Sequence, residues 1–170
     1  NFSTFFNLAP LRDFSPVSTL TYGPHFVSVN AAMPVSSVNE LIALARTKPG
    51  FINFGSAGVG SLTHMEGEYF KSVAGIDIVH VAYKSTNLAF IDLVGGHVDL
   101  LCDQTSTTSA QIKAGTIKTY GVTSKTRVAS LPAVPTLDEQ GLAGFDVVSW
   151  FGLWAPKGLP KPVLDKLVAA

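Results

Sequence analysis

The sequence predicts an α/β fold, a parallel-dominated sheet flanked by helices, and three observations carry the prediction. From Pro24 onward, short β-rich runs alternate with segments of helical period, one pair in about 20 to 25 residues, the rhythm of strands joined by crossover helices. The run Ile76 to Val81 is nearly continuous in apolar side chains, as expected of a buried parallel strand covered on both faces. Helical segments open on serine or threonine and close on glycine, the chemistry that unpaired N–H and C=O groups at helix ends select.

His25 to Asn30 reads as the first strand. Ser37 and Glu40 then have capping-box spacing, in which the serine oxygen accepts a backbone N–H and the glutamate reaches back. Val38, Leu41, Ile42 and Ala45 form the apolar stripe of the helix that follows, closed by Lys48-Pro49-Gly50. Phe51 to Phe54 is a second strand, running into Gly55-Ser56-Ala57-Gly58-Val59-Gly60-Ser61. The next helix sets Leu62, Met65, Tyr69, Phe70 and Val73 on one face and stops at Gly75. After the third strand, Ile76 to Val81, the residues Ser85, Thr86 and Asn87 offer N-caps for a helix carrying Leu88, Ile91 and Val94, ended by Gly95-Gly96. Val98 to Cys102 is a fourth strand with Asp103 just past its carboxyl end; a weaker helix over Ala110 to Ala114 leads to a fifth strand, Ile117 to Val122. The pattern then changes. Leu131 to Pro135 is extended, Thr136 with Glu139 caps a short helix, Val147 to Trp154 is apolar and aromatic, and a further helix starts at Pro160. The first 20 residues carry no such rhythm, and Phe2, Phe5, Phe6 and Phe14 are exposed unless something covers them.

Composition narrows the function. Of 170 residues 46% are hydrophobic and 14% charged, with 12 basic against 12 acidic side chains, so the chain has the means to bury a core and is not disordered. Nucleic-acid scaffolds draw on a cationic surplus that is missing here. The most apolar stretch, Val147 to Pro156, is about half of the 18 to 20 residues a membrane span needs and contains Ser149 and Gly152, so the protein is expected to be soluble rather than membrane-embedded. No basic-then-apolar leader precedes the first strand. Cys102 is the only cysteine, which excludes an intrachain disulfide and a multi-cysteine metal site.

In an open α/β sheet, ligands settle outside the carboxyl ends of the strands, where helix N-termini converge. Three segments are predicted at that edge: Gly55 to Ser61, Tyr83 to Asn87, and Asp103 to Thr108. The first holds three glycines and two serines between a strand and a helix, so its backbone approaches a ligand closely and aims amides at an anion. Neither nucleotide motif is completed there: Ser61 stands where a P-loop has lysine, and Thr63 replaces the third glycine of a dinucleotide fingerprint. A site without a lysine suits a carboxylate better than a triphosphate, and no cofactor is implied. The candidate ligand-binding residues are Ser56, Ala57, Gly58, Val59, Gly60 and Ser61, with Tyr83, Ser85 and Asp103 from the other two segments. Asp103 has two readings, as acceptor for a ligand hydroxyl or ammonium and as cap of the following helix. Cys102, inside a strand, reads as a small inert hydrophobe. His64 and Glu68 lie one helical turn apart but lack the further ligands of a metal site, so His64 reads as a solvated or capping side chain. His25, His80 and His97 read as structural, and Trp150, Phe151 and Trp154 as an aromatic packing cluster.

These residues also carry a resemblance. The run FGSAGVGSLTHMEGEYFKSVAGIDIVHVAYK from Phe54 to Lys84, DLVGGHVDLLCD from Asp92 to Asp103, the segment from Ala114 to Leu167 and RDFSPVSTLTYGPHFVSVN from Arg12 to Asn30 closely resemble the Bug family, the periplasmic substrate-binding proteins of tripartite tricarboxylate transporters. The resemblance implies one lobe of a two-lobed periplasmic binding protein fold, type II-like, that closes on a small carboxylate (a di- or tricarboxylate, amino acid or aromatic acid) without catalysis. It implies residues 1–23 as an interdomain or first-lobe segment, 24–145 as the second, ligand-binding lobe, and 146–170 as a crossover with a partial return to the first lobe. It also implies membrane components of a tripartite tricarboxylate transporter as partners, a periplasmic location, and members longer than this chain at both ends, so that this chain alone would bind ligand poorly. The family usually reads P-Y-K-G where Ala82-Tyr83-Lys84-Ser85 stands here. From the residues alone, a small α/β enzyme acting on a carboxylate or acyl substrate, with Asp103 as general base, stays open, as does an interaction module docking through its aromatic face.

Overall fold

Serine caps begin three of the helices, and their geometry follows the chemistry expected of them. Ser37 precedes α2 (Val38–Thr47) and its Oγ accepts from the Glu40 N–H, while the Glu40 carboxylate accepts from the Ser36 N–H. Ser61 caps α3 (Leu62–Ala74) and Ser85 caps α4 (Thr86–Gly95), each accepting from the backbone three residues on. Gly75, Gly96 and Gly115 end α3, α4 and α5 (Thr105–Ala114) in the left-handed conformation. The structure, a computed structural model, describes residues 10–169; the expectation for Phe2, Phe5 and Phe6 lies outside them.

The strands are β1 (Phe14–Asn30), β2 (Asn53–Ser56), β3 (Val79–Ala82), β4 (Leu100–Gln104), β5 (Ile117–Val122) and β6 (Val148–Pro156); a short α1 (Pro10–Asp13) and a terminal α6 (Lys161–Val168) complete the described elements. The sheet order is β3-β2-β4-β1-β5, with β6 pairing β1. β2 runs parallel to both β3 and β4, whereas β1 is antiparallel to β4 and to β5, so one strand opposes four that share a direction. The βα rhythm does not reveal this reversal, because periodicity reports which residues form a strand and not which way its neighbours run.

Two compact units divide the chain, one of Gly23–Ser149 and one whose described part is 10–22 and 150–169. In the larger unit, side chains alternate between the two faces of the sheet. Leu100 and Cys102 join Val27, Val29, Leu41, Ile42 and Phe70 in a core under α2 and α3, while Leu101 and Ile117 pack with Ala89 and Leu93 under α4, flanked by Ile112 of α5. In the smaller unit, Trp150 and Phe151 are more than half exposed, and the Trp150 ring lies 6.4 Å from that of Trp154. No helix among the described residues is long and apolar enough to cross a membrane.

Among the elements that differ from expectation, three show the physical reason directly. α3 buries Thr63, Glu66, Gly67, Phe70 and Ala74, leaving Met65, Tyr69 and Val73 at least partly in solvent. Gly67 decides the rotation: a Cβ there would fall 2.1 Å from Phe54 Cε2, so the helix approaches β2 through the one position without a side chain. β3, read as covered on both faces, is an edge strand, and Val79 is 47% exposed. Thr136 and Glu139 exchange both capping-box bonds, at 3.0 and 2.8 Å, yet a chain of turns follows in place of a helix. The segment instead bridges Val122 to Thr136 and buries Leu137.

Candidate functional site

β2, β3 and β4 are parallel, so the N-termini of α3, α4 and α5, which follow them, share the carboxyl edge of the sheet. β1 enters at that same edge, which brings His25 level with Gln104 and Phe26 level with Asp103. Gly55 is opposite Leu101 in the β2–β4 pairing, so Ser56 and Cys102 leave the paired region together.

The bend after β2 uses much of its own hydrogen-bonding capacity. The Ala57 N–H donates to Thr63 Oγ1 at 2.9 Å, the Gly58 N–H to Ser56 Oγ at 3.0 Å, the Gly60 N–H to His64 Nδ1 at 3.3 Å and the Ser61 N–H to the Gly58 carbonyl at 3.1 Å. Ser61 Oγ caps α3 by accepting from the His64 N–H at 3.2 Å and also bonds Thr63 Oγ1 at 3.1 Å. Among the described residues the amides of Val59, Leu62 and Thr63 make no hydrogen bond, and Val59 is 81% exposed. The amides available to an anion are therefore those at the crest of the bend and in the first turn of α3, rather than the whole run. Gly58 has φ +109° and a Cβ built on it would lie 3.3 Å from the Tyr83 carbonyl, so the first and second segments touch and only glycine fits between them.

The other predicted residues have their own partners. The Tyr83 N–H donates to the Ser56 carbonyl at 3.0 Å, but its hydroxyl turns to Asp92 Oδ2 at 2.7 Å; burial and that carboxylate push the phenol up to about 12. Ser85 Oγ caps α4. Asp103 falls within β4 rather than past it, is buried, and accepts from the Gln104 N–H at 2.7 Å. Burial, then Glu66 and Asp103, push the neighbouring Cys102 thiol up, holding it as an unreactive thiol.

Two arrangements escape the sequence because their members lie far apart in it. The first is buried: His25 Nδ1 meets Glu66 Oε2 at 2.7 Å, His25 Nε2 meets Ser149 Oγ at 3.0 Å, and Ser149 Oγ donates to the Gly23 carbonyl at 3.3 Å. Burial raises the Glu66 carboxyl above its ordinary value, with the His25 bond opposing and Asp103 adding to the rise, and Glu66 Oε1 has no partner among the described residues. The order serine, histidine, glutamate is that of a hydrolase relay, but all three are sealed and Ser149 has no access to a substrate. Its work is structural: with Thr123, which bonds the His25 backbone in both directions, it ties α3 to β1 and to the start of β6. The second arrangement is a stack. Phe54 and His80, paired across β2 and β3, lie with ring centroids 4.9 Å apart, and His64 of α3 lies 4.2 Å from His80. His80 Nε2 bonds Ser56 Oγ at 2.6 Å, and burial followed by His64 lowers the His80 imidazole.

Among the described residues no group of three His, Cys, Asp or Glu converges as a metal site. A hollow of about 610 Å³ opens at the opposite edge of the sheet, lined in part by Asn30, Met33, Lys48, Phe51 and Asp99. Asn30 Nδ2 donates to the Leu93 and Val94 carbonyls, Asp99 Oδ2 accepts from the Asn53 N–H, and Lys48 lies over the Phe51 ring at 5.0 Å.

Residues 2–170 match the family described as tripartite tricarboxylate transporter family receptor. Among solved structures, the chain is similar to the periplasmic binding protein BugD (40% identity, TM-score 0.85, 92% of this chain and 52% of that one). It is also similar to Rpa4515 of R. palustris with adipate (34%, 0.89, 94% and 54%) and to MatC of Rhodopseudomonas palustris with bound malate (32%, 0.84, 92% and 53%). The chain spans about half the length of the curated relatives it matches, 48% for one from Agrobacterium vitis that is 39% identical.

Proposed function

Because the chain belongs to the tripartite tricarboxylate transporter receptor family, we propose that it forms the carboxylate-receiving part of a solute-binding protein. The protein works in the periplasm and passes its ligand to the membrane components of a tripartite tricarboxylate transporter. The ligand is a small carboxylate, with dicarboxylates the first class to test. One observation carries this reading: the chain overlays, at TM-scores of 0.89 and 0.84, on proteins that hold adipate and malate.

The local chemistry supports it. A carboxylate oxygen at the crest of the bend would accept from the Val59, Leu62 and Thr63 amides, which have no partner among the described residues. Charge-assisted bonds of this kind contribute about 1.5 to 3 kcal/mol each, and the N-terminus of α3 adds about 0.3 to 1 kcal/mol. Backbone donors recognise the acid group in general, so selection among acids rests on the shape of the cavity around the rest of the ligand. A ligand that binds only the folded state raises its melting temperature. Adipate or malate at millimolar concentration is expected to raise it, and chloride at equal ionic strength is not. No rise with any of a panel of mono-, di- and tricarboxylates, or an equal rise with a neutral sugar, contradicts the proposal.

A further inference from the structure

Tyr83 follows β3 and bears on the bend at three points. Its N–H donates to the Ser56 carbonyl at 3.0 Å, which carries the β2–β3 ladder one step past the paired residues. Its carbonyl faces Gly58, where a Cβ would fall 3.3 Å from that oxygen. Its ring helps to close a socket around buried Gly55: a Cβ built there would lie 3.1 Å from Ala89 Cβ, 3.3 Å from Val98 Cγ1 and 3.6 Å from Tyr83 Cε2. The main chain and ring of one residue therefore rest on the strand end that leads into the bend and on the first glycine inside it.

What fixes Tyr83 comes from α4. Its hydroxyl donates to Asp92 Oδ2 at 2.7 Å. Asp92 is itself held in place, because its carbonyl accepts from the N–H groups of Gly96, His97 and Val98 in the turn that ends α4. The phenol thus spans from the bend to the C-terminal turn of a packed helix. Burial, followed by the Asp92 carboxylate, pushes this phenol up to about 12, so the hydroxyl keeps its hydrogen at neutral pH. A phenol has one hydrogen to give, and Tyr83 spends it on Asp92; toward a carboxylate ligand it would offer only lone pairs. The sequence placed Tyr83 among the ligand contacts, whereas its hydrogen bonding suits a support beneath them.

We propose that Tyr83 is a positioning residue for the anion-accepting bend: tied to Asp92, it holds its ring and main chain against Gly55, Ser56 and Gly58 and so sets where the Val59, Leu62 and Thr63 amides point, without touching the ligand. The effect on affinity rests on the carboxylate reading above; the effect on the shape of the bend does not, and the two are separable by experiment.

Calorimetric titration of the full chain with adipate distinguishes support from direct contact. Tyr83→Phe keeps the ring beside Gly55 and removes the tie, and Asp92→Ala removes the tie from its other end. Each should weaken adipate about three- to tenfold, the worth of one net hydrogen bond, and the double variant should be no weaker than the weaker single one. Asp92→Asn keeps an acceptor for the hydroxyl and should stay within about twofold of the wild type. In ¹H–¹⁵N spectra of the ligand-free protein, Tyr83→Phe and Asp92→Ala should displace the Gly58 and Val59 amides in the same direction, and Asp92→Asn should leave them near their wild-type positions. A loss of affinity in Tyr83→Phe without one in Asp92→Ala shows that the hydroxyl meets the ligand itself, and it overturns the proposal. Gly58 and Val59 amides that stay in place in both variants overturn it as well, as does a lowered melting temperature with unchanged affinity in both, the mark of a tie that serves stability alone. Amides that move in a protein whose wild type binds no carboxylate uphold the positioning of the bend and refute the carboxylate reading.

Discussion

Glu66 shows how a single buried side chain couples chemistry to stability. It lies on the inner face of α3 and is nearly sealed, with one oxygen on His25 and the other without a partner among the described residues. Its carboxyl is raised in the folded state above the ordinary 4.5, mainly by burial. The folded protein therefore keeps this proton to higher pH than the unfolded chain does. The stabilisation is complete below the unfolded value and is lost as pH rises through the folded one. Glu66→Gln removes that titration and keeps a hydrogen-bonding partner for His25, so its urea midpoint relative to wild type should improve as pH is raised from 4 to 8. Glu66→Ala leaves His25 Nδ1 buried and unpaired and should cost about 2 to 5 kcal/mol. A difference between Glu66→Gln and wild type that stays constant over that range shows that the carboxyl does not titrate differently in the two states.

At the scale of the element, α3 is the piece on which the site depends, and its rotation follows from Gly67. An alanine there must displace Phe54, the ring on which His80 rests, since its Cβ would fall 2.1 Å from Cε2. Gly67→Ala should cost about 1 to 3 kcal/mol by overpacking in spite of alanine's better helix propensity, and should disturb the His80 ring signals. The outward residues behave otherwise. Met65 is 54% exposed, and Met65→Lys should change stability by less than about 0.5 kcal/mol. Chemical denaturation of the two variants tests the assignment of faces; a costly Met65→Lys beside a neutral Gly67→Ala reverses it. The same assignment holds for α4, which buries Ala89 and Leu93 and exposes Leu88, Ile91 and Val94. Apolar periodicity identified both as helices and pointed to the wrong side, because the closest approach to a sheet is made through small residues that a hydrophobicity pattern passes over.

For the molecule as a whole, both hydrophobic clusters lie inside Gly23–Ser149, and so do the histidine stack and the Glu66–His25–Ser149 network. A polypeptide of residues 23–149 should accordingly unfold in one cooperative urea transition, with a slope of about 1 to 3 kcal/mol/M, as a domain that owns its core does. A broad, gradual loss of ellipticity contradicts this.

Local sequence was enough for the element order, for serine caps at Ser37 and Ser85, and for a glycine-rich bend at the carboxyl edge, because caps, turns and periodicity are set by residues a few positions apart. The same local signals identified Thr136 and Glu139 as a capping box without revealing that no helix follows, since a cap satisfies helix ends and does not supply the burial that makes a helix stable. Which amides in the bend stay free was decided only in three dimensions: Thr63, Ser56 and His64 claim those of Ala57, Gly58 and Gly60, and His80 reaches Ser56 from another strand. The reversal of β1, the edge position of β3 and the meeting of His25, Glu66 and Ser149 were likewise settled by tertiary structure. Strand direction and burial are properties of neighbours brought together by the fold, and the chain carries no local record of contacts between residues as far apart as 25 and 149.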